Sequence, residues 1–271
     1  MAGLTGLAGR VAMVSGAGRG QGRAQAVALA RAGADIVACD LCHDQPTVPY
    51  RLSAREDLEE TARLVREAGR RCVVKEADAA SVEQMKAVAA AAASQLGGVD
   101  VICANAGVIN FGRAWVLSEA QWDQVIGTNL KGAWATCRAA IPGMIERDRG
   151  GSVILIGSAA SLRGYPGISH YAAAKHGLVG LMRSLAIELA PHRVRVNCVL
   201  PGGVRTFMGT TEAMQAWLQA EPDASRALAP LLPVDLVEPE DVAAAVVWLA
   251  SDAARLVTGV AVPVDAGVQL R

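Results

Sequence analysis

Short, nearly continuous apolar runs alternate with longer stretches of helical period along almost the whole chain. The runs fall at 10–15, 35–39, 71–75, 99–103, 151–157, 194–200 and 259–264. Runs of this kind, apolar on both pleat faces, predict strands buried on both sides. Between them lie alanine-rich or amphipathic stretches at 23–32, 53–68, 81–96, 118–128, 130–147, a stretch ending near 190, and 239–250. Gly33, Gly69 and Pro191 mark where three of these helices stop. Strand and helix alternate without a linker, which predicts an α/β chain: one domain over 1–271, a doubly wound Rossmann sheet of seven parallel strands flanked by helices. Ligands of such a sheet bind at the carboxyl ends of its strands.

Two segments break the rhythm. Residues 41–53 (Leu-Cys-His-Asp-Gln-Pro-Thr-Val-Pro-Tyr-Arg-Leu-Ser) hold two prolines and no period. They read as an ordered, inserted loop, longer than a usual strand-to-helix connection and placed to fold over the adenine end of a cofactor. Ser53 and Glu56 have the spacing of a capping box for the helix that follows. Residues 206 to about 233 carry Trp217 and three prolines and form the least regular part of the chain; here the substrate segment is expected. Asn129, between two helical stretches, is locally unfavourable in a helix and reads as a break between them.

Composition narrows the function without naming it. Lys plus Arg equals Asp plus Glu at 26 each, so no net field attracts nucleic acid or an anionic membrane. No run of about 18 strongly apolar residues suggests a span. The first ten residues lack the basic start and apolar core of a secretory signal. Six cysteines lie mostly inside apolar runs, and Cys39 and Cys42 form a C-x-x-C at a strand end with no histidine cluster near it. No metal site is expected, and the chain reads as a soluble, reduced, cytoplasmic protein.

The chemistry begins after the first run. Gly16, Gly18, Gly20 and Gly22 stand between a strand and a helix, where backbone N–H groups and the helix dipole favour a pyrophosphate. The next strand delivers Asp40, positioned to bind ribose hydroxyls and to repel a 2′-phosphate, so NAD is favoured over NADP. No Gly-Lys-Ser/Thr follows the loop, which excludes a P-loop nucleotidase. The small residues Ala104, Asn105, Ala106 and Gly107 follow the fourth run and permit close approach of a cofactor. Tyr171 and Lys175, four apart, share a helix face. An ammonium beside a phenol favours the phenolate, giving a candidate acid/base pair, and Ser158 at the end of the fifth run is placed to hold a substrate oxygen. Alone, such a pair is most often a solvated helix face.

Taken together, these residues resemble the short-chain dehydrogenase/reductase family from about Gly9 onward. Ser15 to Gly22 matches T-G-x-x-x-G-x-G with Ser for Thr; Asn105-Ala106-Gly107 matches N-A-G; Asn129, Ser158, Tyr171 and Lys175 match the catalytic tetrad; Pro201-Gly202 matches the post-strand P-G. The resemblance implies catalytic roles for those four residues, with Asn129 holding a water that links Lys175 to solvent. It implies cofactor contacts at Gly16, Arg19, Gly20, Gln21, Asp40, Leu41, Asp78, Ala79, Asn105, Ala106, Gly107, Tyr171, Lys175, Pro201, Gly202, Val204 and Thr206. Trp115, Leu162, Phe207, Met208 and Trp217 are apolar neighbours suited to a hydrophobic alcohol, or equally to core or subunit interface. The loop after Asp40, with Thr47 to Leu52 and Glu56 to Thr61, is similar to the subgroup that includes carveol dehydrogenase. That subgroup is associated with mycofactocin, an external carrier that recycles a permanently bound NAD. The expectation is an NAD-dependent, homotetrameric enzyme oxidising a terpenoid- or steroid-like secondary alcohol. A ketoreductase for 3-oxoacyl thioesters with exchanging cofactor, and a non-catalytic dinucleotide-binding protein, stand as alternatives.

Overall fold

The computed structural model describes residues 6–271. Strands β1 (Val11–Ser15), β2 (Asp35–Asp40), β3 (Cys72–Glu76), β4 (Val101–Ala104), β5 (Gly151–Ile156), β6 (Val194–Pro201) and β7 (Ala261–Val264) form one parallel sheet in the order 3-2-1-4-5-6-7. Each strand lies within two residues of the start of its apolar run. Helices α1 (Gly20–Arg31), α2 (Arg55–Glu67) and α10 (Pro239–Ala250) cover one face, burying Leu29, Leu58 and Val246 against Val14, Ile36 and Ile154. Helices α3 (Val82–Leu96), α5 (Gly132–Arg147) and α6 (Ser169–Leu189) cover the other, burying Met85, Met144 and Met182 against Met13, Ile102 and Val153. Each fully buried side chain of this size contributes roughly 1.5–3 kcal/mol relative to exposure, so the two layers hold the sheet without disulfides.

Three local outcomes differ from the pattern. Helix α1 begins at Gly20, ahead of the alanine run, because the glycine loop turns directly into it. The box expected from Ser53 and Glu56 does not form. Helix α2 starts at Arg55, and the Asp57 carboxylate accepts the Ala54 N–H at 2.8 Å, while Ser53 is buried against Gly18. Asn129 is not a break either. Helix α4 (Glu119–Ile126) runs through a π-helical turn, Gly127–Lys131, straight into α5. The cost of Asn there is met by its own amide, whose Nδ2 donates to Val108 O and Val125 O, both at 2.8 Å. Single π-turns inside helices recur at functional sites. The irregular stretch from 206 folds into three short helices, α7 (Phe207–Thr210), α8 (Glu212–Ala220) and α9 (Pro222–Ala227).

Candidate active site

The strand order reverses between β1 and β4, and a crevice opens above their carboxyl ends, the expected place for a ligand in an open parallel sheet. Its empty volume, counted out to the open mouth, is about 1120 Å³. The crevice floor is the glycine loop. A Cβ at Gly22 would lie 2.0 Å from Gly16 O, and one at Gly16 (φ +66°) 2.8 Å from Ala106 Cα. Only bare backbone fits. Asn105 braces this loop: its Nδ2 donates to Ser15 O (3.0 Å) and Gly16 O (3.2 Å), and its Oδ1 accepts from Gln25 Nε2 (3.0 Å). Its side chain therefore shapes the cradle.

At the start of α1, Arg19 is extended, no side chain caps the helix, and the first turn holds no acid. The orphan N–H groups and the positive dipole end are left open, the condition for binding an anion. Gln21 adds a buried, unpartnered Oε1 beside them. On the neighbouring strand the Asp40 carboxylate accepts from Gly18 N and Leu41 N, both at 2.7 Å. Asp78 and Ala79 after β3, and Asn105 to Gly107 after β4, complete that wall. A bare-backbone cradle at a helix N-terminus, followed by an acid, fits a dinucleotide, and the Asp40 carboxylate disfavours a 2′-phosphate beside it.

Tyr171 and Lys175 project from α6 into the same crevice. Lys175 is buried and its Nζ donates to Ile156 O at 2.8 Å, 5.5 Å from the centroid of the Tyr171 ring. Burial pulls the Lys175 pKa down to about 8. Burial also pushes the Tyr171 phenol up, and the hydrogen bond from Ser158 draws it part of the way back. The ammonium was expected to lower the phenol; here the hydroxyl of Ser158 does so. Ser158 itself sits one step outside the crevice lining, its Oγ accepting from Ala160 N at 3.1 Å to start a short 3₁₀ turn. Asn129 is 1% exposed and its Oδ1 has no partner. A Cβ added to Gly107 would lie 2.7 Å from that oxygen and 3.7 Å from Lys175 Nζ. The missing side chain at Gly107 leaves a small polar gap between Asn129 and Lys175, of the kind a water fills.

Of the residues singled out from sequence, Gly16, Arg19, Gly20, Gln21, Asp40, Leu41, Asp78, Ala79, Asn105, Ala106, Gly107, Asn129, Tyr171, Lys175 and Thr206 line the crevice. Pro201, Gly202 and Val204 lie behind its wall. Pro201 ends β6, Gly202 N donates to Val264 O (3.1 Å), and Val204 pairs with Val237. Phe207 and Met208 line the opening. Trp217 is buried in an aromatic cluster with Ile109, Tyr165, Ile168 and Phe111 that packs beside Tyr171, its ring stacked on Phe111 at 5.4 Å. Trp115 and Leu162, by contrast, are 83% and 50% exposed and take no part.

The inserted loop departs most from expectation. Leu41 and Gln45 stay near the Asp40 end, but Tyr50 and Leu52 reach Tyr171, at the opposite end of the crevice. Sequence gave no signal for this reach, because a loop without period carries no information on its path. The Arg19 side chain joins the loop to α7: it donates to Arg51 O and stacks over the Phe207 ring at 4.3 Å. The cysteines are free; burial and the nearby Asp40 charge push the Cys42 thiol up to about 12 and Cys39 in the same direction, away from the reactive thiolate.

Comparison with known proteins gives a consistent result. A family model described as enoyl-(acyl carrier protein) reductase matches residues 16–269. The (-)-trans-carveol dehydrogenase of Rhodococcus erythropolis is 42% identical over 272 residues, covering 97% of this chain and 98% of its own. The crystal structure of carveol dehydrogenase from Mycobacterium avium in complex with NAD superposes with a TM-score of 0.94 at 42% identity, covering 98% of this chain and all of that one (100%). A short chain dehydrogenase from Mycobacterium paratuberculosis, bound to NAD, superposes equally well (TM-score 0.94, 43% identity, 98% and 99% coverage).

Proposed function

The chain belongs to the short-chain dehydrogenase/reductase family, and on that premise we propose that it oxidises a hydrophobic, terpenoid- or steroid-like secondary alcohol reversibly to the ketone. It is an NAD-dependent oxidoreductase. One observation carries the substrate reading: Tyr171 lines the dinucleotide crevice and packs against an apolar cluster of Ile109, Tyr165, Ile168 and Trp217, so the crevice has an apolar flank at its catalytic end.

Tyr171 Oη takes the alcohol proton, and Ser158 Oγ holds the substrate oxygen in line with it. NAD held by the glycine loop and Asp40 would supply the hydride acceptor for the carbinol carbon. Lys175, positive at neutral pH despite its lowered pKa, stabilises the negative charge that the phenol passes through. The proton then leaves along Lys175 and a water held at Asn129 Oδ1, in the gap that Gly107 leaves open.

The finer reading is that NAD remains bound between turnovers and is recycled by an external carrier such as mycofactocin. The Arg19 contacts that join the inserted loop to α7 across the crevice mouth support it. We place residues 1–271 in one working domain, with the loop at 41–53 and the segment at about 206–233 serving its site. The protein works as a homotetramer, and six free thiols suit a reducing, cytoplasmic setting. The test is Tyr171→Phe, expected to cut turnover by at least about 10²–10⁴-fold while the protein still carries NAD, measured by mass spectrometry of the denatured sample. Undiminished turnover of a cyclic alcohol with a dye acceptor would refute the assignment.

A further inference from the structure

The inserted loop brings one aromatic side chain into the reaction end of the crevice. Tyr50 packs against two apolar clusters at once. One is Val48, Val108 and Val125; the other is Ile109, Tyr165, Ile168 and Trp217; Tyr171 packs against both. Tyr50 also lines the crevice together with Tyr171, Val108 and Met208. It thus stands on the crevice wall, between the two clusters and beside the catalytic phenol.

Its position is fixed from three sides. Its hydroxyl accepts the Ile109 N–H at 3.0 Å. Val48, two residues earlier, is 8% exposed and plugs the loop into the protein. Asp44 Oδ1 accepts the Leu52 N–H at 2.6 Å and closes the loop on itself. Val48 and Asp44 anchor the loop independently of the Tyr50 ring, which lies on the crevice wall. Burial, reinforced by the charge Tyr171 would carry, holds the Tyr50 phenol neutral. It is no second base and acts by shape.

We infer that Tyr50 is a specificity-determining residue, whose ring walls the crevice beside Tyr171 and limits the size of ring system that reaches Tyr171. The inference rests on the secondary-alcohol reading above. In this arrangement the insertion belongs to the substrate site as well as to the cofactor site. The segment from Thr206 onward lines the same crevice through Met208.

The test compares kcat/KM for cyclohexanol and for the bicyclic 2-decalol, using NAD-loaded protein and a dye acceptor. Tyr50→Ala is expected to raise the decalol-to-cyclohexanol ratio at least about tenfold, the range a few methylene-sized contacts control. Tyr50→Trp is expected to move the ratio the other way, and Tyr50→Phe to leave it within about twofold. An unchanged ratio in both Tyr50→Ala and Tyr50→Trp, or an equal loss for both alcohols, would overturn the inference. If Tyr50→Ala fails to fold, the direction of Tyr50→Trp decides alone. The same ratio read from calorimetric binding of cyclohexanone and 2-decalone does not need turnover. Inactivity of the native protein on both alcohols would count against the proposed reaction, whereas a flat binding ratio would count against Tyr50.

Discussion

At the scale of single residues, the site sets burial against hydrogen bonding. Tyr171 loses water and its phenol becomes harder to ionise, and the Ser158 hydrogen bond is what pulls it back. Ser158→Ala should therefore lower kcat at every pH and also move the rise of kcat/KM with pH to higher values. A pH–rate profile of alcohol oxidation checks this, and an unmoved limb would show that Ser158 only positions substrate. Lys175 gives a stability prediction of definite sign. Its folded pKa of about 8 lies below the ordinary lysine value of 10.5, so between those values the unfolded chain binds the extra proton and stability rises with pH. Burying the charged form costs most below about pH 8. Lys175→Met should raise the Tm of cofactor-free protein at pH 7, by an amount that shrinks as pH approaches 10, while activity is lost. Thermal melts of both proteins across that range test it; a constant difference would contradict the burial account.

Elements set these residues in register. The π-helical turn Gly127–Lys131 rotates Asn129 inward, where its Nδ2 is spent on two carbonyls and its Oδ1 is left facing Gly107. The inserted loop and α7 are separate elements, and Arg19 from the glycine loop ties them together through Arg51 O and the Phe207 ring. A hydrogen bond of about 1 kcal/mol and a cation–π contact of about 0.5–2 kcal/mol together amount to roughly tenfold or more in a rate. Arg19→Ala is expected to speed NAD release by about that factor, read as loss of NAD through gel filtration or as faster exchange with labelled NAD. Retention equal to the native protein would show that the clasp is irrelevant to holding the cofactor.

At the scale of the molecule, the surface leaves large apolar side chains uncovered on helices of the α3–α5–α6 side. Ile187 on α6 is 78% exposed, and Trp122 on α4 and Trp134 on α5 are each 41% exposed. Covering them between copies of the chain would bury apolar area, as the proposed tetramer requires. Sedimentation velocity should show a species of four 28.0 kDa chains, and Ile187→Glu should dissociate it while leaving the far-UV circular dichroism unchanged. A monomeric native protein would remove the tetramer from the proposal.

The alternation of apolar runs and helical stretches determined the seven parallel strands, because a strand buried on both faces has no polar side to show and needs a helix to return. The same reading found the glycine loop, Asp40 and the Tyr171–Lys175 pair, since each depends on local spacing: a bare-backbone turn, an acid at a strand end, two side chains one helical turn apart. Resemblance added Asn129 and the role of Ser158. What the sequence left undetermined involves long-range geometry. The path of residues 41–53, which carries Tyr50 to Tyr171 and Arg51 to Arg19, follows no period. Whether Trp115 or Trp217 is buried depends on which short helix packs where: Trp217 joins the cluster beside Tyr171, while Trp115 is left exposed. The contact that holds the Asn129 amide is made to Val108, 21 residues away. Local chemistry chose the residues of this site, and tertiary packing chose which of them meet.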